Sequence, residues 1–534
     1  MLKYIVGIFM LFGGVFYSAT TIAQEKNWQN FDFIRQSNAW LYSNNASGLS
    51  FLPVANISIA EVYANKSNGG FINYYQSDNS YSIGALTESF YRLTDRTVLY
   101  GGISYSNFRG KHMGGSAFIN PYNNPFDIVE SVDSTAGTRN MEAYSLTGGV
   151  SVDLNKKITV GGKIDYHVAN YAKFKDLRHT NKLLDMNVSA GLLYKINKYI
   201  TAGANYSYHR TVEGTTFQMF GNTDRQYYSL ISFGSFYGRL EPFSDNGYTG
   251  QDFSNPLFNK YHGGSLQVEI LFTPALKFFN ELTYAARDGY FGKKSPNTIV
   301  HSKHNSNIFE YNGQLSLQRK KSLHQLSVNF RNEKLENFEN VYKYETSEAG
   351  GVTNIIYYDA IKMLDRKYTF SSVKYTGNLG VEGYNPQWVL NAWFNYWGKV
   401  QTTSVYPFFR KQTINKYDIN LSADKNITAK NNMYSISLAA TYGTGSGDKK
   451  NDGLYATPSE SQKQPASLDN VLNKEYEYLT ANRITARIGF KYSHLFPKGI
   501  QGYIKANYLH TQASNTDYLK NNFHSVSISV GCSF

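Results

Sequence analysis

The 534-residue chain carries one cysteine, Cys532, which excludes an internal disulfide framework. It has 12 prolines, and no Pro/Ser-rich linker or composition step divides it, so a single domain is expected in spite of the length. Beyond the first two dozen residues no run of about 18 apolar residues occurs, which excludes helical membrane spans. Signatures of enzymes are missing too: no G-x-S-x-G elbow, HExxH, P-loop or Cys-pair site is present. The expectation is therefore no enzyme and no cofactor. A rim-sited hydrolase stays third among the readings, because Ser and Asn are too numerous to single out a constellation.

What is abundant is aromatic and small: 45 Tyr, 34 Phe and 44 Gly. Tyrosine suits positions with one greasy end and one wet end, as at both edges of a bilayer. The mean hydropathy of −0.43 would fit a soluble chain. It fits a membrane barrel equally, since half of every barrel strand is polar.

The apolar residues alternate. In the final stretch HSVSISVGCSF, Val526, Ile528, Val530, Cys532 and Phe534 share one parity and the serines take the other. Ile158 to Val168, Ile200 to Tyr208, Tyr434 to Tyr442 and Ile484 to Tyr492 repeat the pattern. Successive strand side chains point to opposite faces, so each segment has an oily face and a polar one. Each is about ten residues long, enough for a tilted strand to cross the hydrocarbon.

Short polar joints occur at LTDR, LNKK, INKY, TPAL, RKKS, YNPQ, DKNITAKNN and FPKG. The long loops, 109–140, 213–260, 337–357 and 446–475, fall only on the other side. This sorting predicts an all-β fold: one transmembrane antiparallel β-barrel with short periplasmic turns and long extracellular loops. Eight joints, a strand near 69–77 and the C-terminal strand predict about 18 strands, with 16 or 14 as alternatives. The expected division is a signal peptide over 1–23, a periplasmic or lumen-hatch segment over 24–68, and the barrel over 69–534. The leader reading rests on Lys3, an apolar core from Tyr4 to Tyr17, and a small-x-small site at Thr21 and Ala23.

The Gln24 start, the Tyr/Asn/Lys-rich strands and the terminal HSVSISVGCSF resemble the outer-membrane barrel proteins of Bacteroidota. That resemblance implies a Gram-negative outer membrane, contact with its lipid and lipopolysaccharide, and Phe534 as a signal to the barrel-assembly machinery. A second stretch, RQSNAWLYSNNASGLSFLP at 35–53, is similar to the W…NPAGL segment of fatty-acid-transporter-type (FadL-like) barrels. Those have about 14 strands, and the motif's proline is Asn45 or Ala46 here. Kinship would place residues 24–53 in the lumen as a hatch.

Polar parity assigns a mixed-charge lining: Lys163, Asp165, His167, Lys195, Glu269, Glu281, Arg287, Arg331, Lys374, Glu382, Arg483, Arg487, Lys491 and Lys505. These would set the selectivity of a solute path, or brace a plugged lumen as paired charges. HSKH at 301–304 offers His301 and His304 as a candidate metal pair beside the commoner reading as loop histidines. The net charge of +13 would favour anionic headgroups or acidic solutes. Export and strand parity argue against nucleic acid. The chain is too short for the plug and 22 strands of a TonB-dependent receptor. The leading expectation is a channel or transporter passing small solutes through a loop-constricted barrel. The alternative is a non-conducting scaffold or accessory subunit, partnered by a surface lipoprotein or TonB-dependent receptor.

Overall fold

The computed structural model describes residues 28–221, 226–245, 247–251, 254–295, 298–346 and 353–534. The segment read as a signal peptide lies outside the described residues. Eighteen antiparallel strands form the wall. They are β1 Asn56–Gly69, β2 Asn79–Thr94, β3 Thr97–Met113, β5 Gly137–Asp153, β6 Ile158–Lys173 and β7 Arg178–Lys195. Next come β8 Ile200–Gln218, β11 Asn255–Thr273, β12 Leu276–Ser295, β13 Thr298–Arg319, β14 Ser322–Glu339 and β17 Ile361–Leu379. The wall ends with β18 Trp388–Val405, β19 Phe408–Ala429, β20 Asn432–Leu454, β22 Arg483–Leu495, β23 Gln501–Ala513 and β24 Asn522–Ser533. The other strands lie in loops: β4 Asp127–Glu130, β9 Tyr228–Gly234, β10 Tyr237–Pro242, β15 Tyr342–Thr346, β16 Thr353–Tyr357 and β21 Ala466–Ser467.

Each wall strand pairs with its neighbours along the chain, and β1 closes on β24 with Val62 opposite Val530. Phe534 completes the seam by exchanging backbone hydrogen bonds with Ser58, at 2.7 and 3.0 Å. Closure leaves no wall edge unpaired, the condition for a sheet in lipid. One parity faces outward and is oily: Val62, Ile103, Leu266, Ile484 and Ile528 each expose half or more of their surface. An apolar belt of that extent is stable only when covered by lipid. The eight short joints all turn at one end of the barrel, and the long loops gather at the other.

Two expectations need correction. The first wall strand is β1 at 56–69, and residues 70–78 are not a strand. In β1 the polar Glu61, Asn65 and Lys66 blur the alternation, whereas the apolar residues after it pack inward, Phe71 against Tyr478 at 5.4 Å and Tyr74 against Phe236 at 4.9 Å. The loop before β22 also contains a helix, Asp469–Thr480, that strand-oriented patterning passed over.

Candidate functional site

Residues 28–55 fold into the lumen at the short-turn end. Three asparagines start its helical turns: the side chains of Asn30, Asn38 and Asn45 accept from the backbone N–H of Phe33, Trp40 and Ser47. Such caps satisfy N–H groups that a short turn leaves unpaired. Asn45 also donates to the carbonyls of Leu192 (3.0 Å) and Ala204 (3.2 Å) and to Gln267 (3.0 Å). The Ser151 hydroxyl donates to the Ser47 carbonyl, and the Asn44 N–H to Glu281, both at 3.0 Å. Arg35 pairs with Glu88 at 3.1 Å. Trp40 is buried edge-on to Phe279 at 5.0 Å. The wall makes room with glycine: Gly161 and Gly191 are cross-strand partners. A side chain at Gly161 would strike the Ser47 backbone, and one at Gly191 the Asn45 amide.

The long-loop end is closed differently. Three loops contribute β4, β9, β10 and β21 to a four-stranded sheet inside the lumen. Its rings meet wall rings: Phe126 lies 4.9 Å from Phe291 of β12, and Tyr248 stacks on Phe291 at 5.3 Å. Leu177, Phe217, Leu257 and Met363 complete this buried cluster. Glu130 of β4 is held by Arg139 at 2.9 Å and Lys173 at 2.6 Å, all three buried. Lys399 pairs with Glu475 at 3.2 Å and ties the 469–480 helix to β18. Asp127 accepts from Ser116 (2.5 Å) and Tyr74 (2.9 Å), and burial pushes its carboxyl up to about 6.

The lining residues divide between these closures and the space they leave. Glu281 receives the hatch, and Lys195 lies 5.7 Å from the Phe51 ring. Glu269 faces Lys277 at 3.8 Å. Arg287 clamps the loops by donating to the Asn123 carbonyl at 3.0 Å. Lys163 pairs with Asp165 (3.1 Å), and Arg331 with Glu310 (2.5 Å). Lys491 lies 4.1 Å from the Tyr503 ring, and Lys374 lies 5.8 Å from Trp393. Arg487 and Lys505 share the inward parity of Lys491, and Arg487 is exposed to the lumen. Glu382 is a correction: it sits in the β17–β18 turn, exposed, 3.6 Å from Lys321. A turn residue can satisfy strand parity by accident.

The histidine pair is separated by chemistry. His301 lies 4.8 Å from the Tyr248 ring, and His304 shares a 2.7 Å hydrogen bond with Asn259. Among the described residues no group of three or more His, Cys, Asp or Glu side chains is arranged to hold a metal. His167 bonds instead to Ser145 at 2.8 Å, and His209 to Asp185 at 2.7 Å. The backbone groups around these pairs are committed to the wall ladder, which leaves no N–H there to stabilise an oxyanion.

Among the described residues, two of the cavities bear on the lumen. One of about 360 Å³ lies between Tyr42 and Asn44 of the hatch and Glu310, Gln314 and Lys374 of the wall, with Phe279 at one side. The other, about 560 Å³, lies beneath the loops and is walled by Phe71, Phe108, Met141 and Tyr171. At one side of it stand Lys416 and Arg483, which share Asp418 at 3.3 and 2.5 Å. Two cations on one carboxylate leave a net positive end to an apolar space. Asp418, Lys416 and the two glycines were not singled out from sequence; inward parity was their only signal, and it is common to half the wall, while Asn45 stood out only as a motif position.

A lipid-belted wall of eighteen strands with its lumen closed by its own segments defines a transmembrane β-barrel protein. The chain belongs to the Family of unknown function (DUF6850), whose profile matches residues 46–534. No curated protein matches the sequence. Among solved structures it is similar to the outer membrane transporter YddB from Escherichia coli, with 5% identity, a TM-score of 0.41, and coverage of 89% of this chain and 81% of that one. It is also similar to BauA, the ferric preacinetobactin receptor from Acinetobacter baumannii, with 10% identity, a TM-score of 0.35, and 89% and 80% coverage. The monoaromatic hydrocarbon channel TodX, as a deltaS2S3 mutant, matches with 12% identity, a TM-score of 0.30, and 92% of each chain covered.

Proposed function

We propose that the protein is a gated transporter of small solutes in the outer membrane of a Gram-negative bacterium. The observation that carries this reading is the closure of a charge-lined lumen at both ends by segments of the same chain. Residues 28–55 act as the hatch on the periplasmic side, and the loop sheet as the constriction outside. The hatch is one contiguous segment, seated by hydrogen bonds and by packing of Phe31, Ile34, Leu49 and Leu52 against Phe90 and Val98, so it can leave as a unit. The 560 Å³ cavity then receives the solute, and its apolar walls and cationic end suit a small amphipathic anion. Phe534, at the seam, serves as the assembly signal.

A second reading is supported by the aromatic packing of the upper closure: a barrel that never conducts and serves as scaffold for a surface lipoprotein or receptor. Planar-bilayer recording of Gly191→Leu separates the two. The wild type is expected to stay mostly silent, and the variant, with its hatch displaced, to show discrete conductance steps. Silence of the variant, with hydrogen exchange showing residues 46–52 released, would favour the scaffold.

A further inference from the structure

The outward face of the wall carries a charge pattern that solubility does not explain. Above the apolar belt, towards the long loops, the outward positions of β8, β11, β13, β14 and β17 hold Arg210, Lys260, Lys303, Lys334 and Lys367. Arg210 is directly opposite Lys260 in the ladder, and Lys334 directly opposite Lys367. Like charges facing each other across a ladder oppose pairing. Two such pairs within one arc of wall call for an anion between them. Internal carboxylates fill that role only in part. Glu336 is bonded to Lys362 at 2.7 Å and lies 3.7 Å from Lys334, and Asp365 is bonded to Lys362 at 3.0 Å. Asp288, opposite Lys260, is the one further carboxylate in the arc. Outward cations elsewhere in the wall, Lys66, Arg109, Lys182 and Lys411, face Tyr81, Asn140, Gly214 and Thr402 across the ladder and no second cation.

Beside the cations lies a groove of about 800 Å³ lined by Phe258, Lys260, Tyr290, Lys294 and Lys303, with Asp288 as its one carboxylate. Phe258 stacks on Tyr290 at 5.0 Å, with Arg210 at 5.1 Å from the Phe258 ring and Lys294 at 4.1 Å from the Tyr290 ring. Cations flanking aromatic faces are the means of holding a phosphorylated sugar: guanidinium and ammonium groups take phosphate, and rings pack on the sugar's apolar face. The belt below would receive acyl chains.

We propose that this arc binds the phosphorylated glycolipid of the outer leaflet, lipid A, with its phosphates between Arg210, Lys260 and Lys303. The inference rests on the outer-membrane placement above, with long loops outside, but not on conduction. The test is native mass spectrometry of the detergent-purified full chain mixed with bis-phosphorylated lipid A. Arg210→Gln/Lys260→Gln/Lys303→Gln is compared with Lys156→Gln/Lys157→Gln/Lys320→Gln in the short turns, which removes the same charge at the other end. The first variant is expected to retain at least fivefold less lipid A than the wild type, and the second to match the wild type. Heat-modifiable gel migration checks that both barrels fold. Dephosphorylated lipid A is expected to bind the wild type as weakly as the first variant binds the intact lipid. Equal retention by the two variants, or equal binding of phosphatidylglycerol and lipid A by the wild type, would overturn the assignment.

Discussion

The lower closure is one contiguous segment, residues 28–55, anchored by asparagine amides, the Arg35–Glu88 pair, the Trp40 ring and a buried apolar cluster of Phe31, Ile34, Leu49 and Leu52 with Phe90 and Val98. The upper closure draws β4, β9, β10 and β21 from loops far apart in sequence and welds them with stacked aromatics and the buried Glu130 cluster. The contrast is between one segment that can leave as a unit and three loops that would have to part together. A hydrogen bond lost on opening is largely remade to water, so its net worth is about 0.5–1.5 kcal/mol. Exposed rings and unpaired buried charges have no such substitute. The lower end can open by releasing a single segment, whereas the upper end opens only if several loops separate.

The largest expected effect breaks the upper end. Glu130→Leu strands Arg139 and Lys173 without their shared carboxylate, at a cost of about 3–5 kcal/mol. Protease cleavage within residues 114–136 should rise steeply while hydrogen exchange in 46–52 stays as in the wild type; parallel loosening of both ends would refute their independence. Asn45→Ala should act the other way round, weakening the hatch by about 1–3 kcal/mol and leaving the loops protected. Exchange at residues 46–52 is the readout, and no change there would remove Asn45 as the anchor. The smallest effect is a pH dependence of the upper end alone. Burial holds the Asp127 carboxyl at about 6 in the closed state, whereas an opened loop ionises in the ordinary carboxylate range. Between those limits the closed form keeps a proton that the open form releases, so rising pH favours opening, and the penalty levels off above about 6. Once divided by the intrinsic hydroxide-catalysed rate at each pH, loop exchange should be roughly tenfold faster at pH 7.5 than at pH 5, by linkage between the two carboxyl ranges. Asp127→Asn should abolish the difference; a slope that survives in this variant would assign the titration elsewhere.

Inward parity was readable for Lys163, Asp165, Arg331, Lys491 and the other wall charges, because strand geometry determines which way each side chain points. What each would meet was not readable. Arg287 and Glu281 look alike as inward polar residues, yet one clamps a loop carbonyl and the other receives the hatch. Glu382 shows the reverse failure: alternation ran past the end of a strand into a turn, where parity has no meaning. Phe126, Tyr248 and Phe291 lie too far apart in the chain for any local pattern to bring them together.

By itself the sequence determined the wall: alternation sets the two faces, and the eight polar joints set the strand count and sort the ends, since both are decided by neighbours a few residues apart. Only the tertiary structure decided how the lumen is shut. Closing it depends on which distant loops and which glycine-lined recess meet inside the cylinder, and no short-range pattern along the chain encodes that meeting.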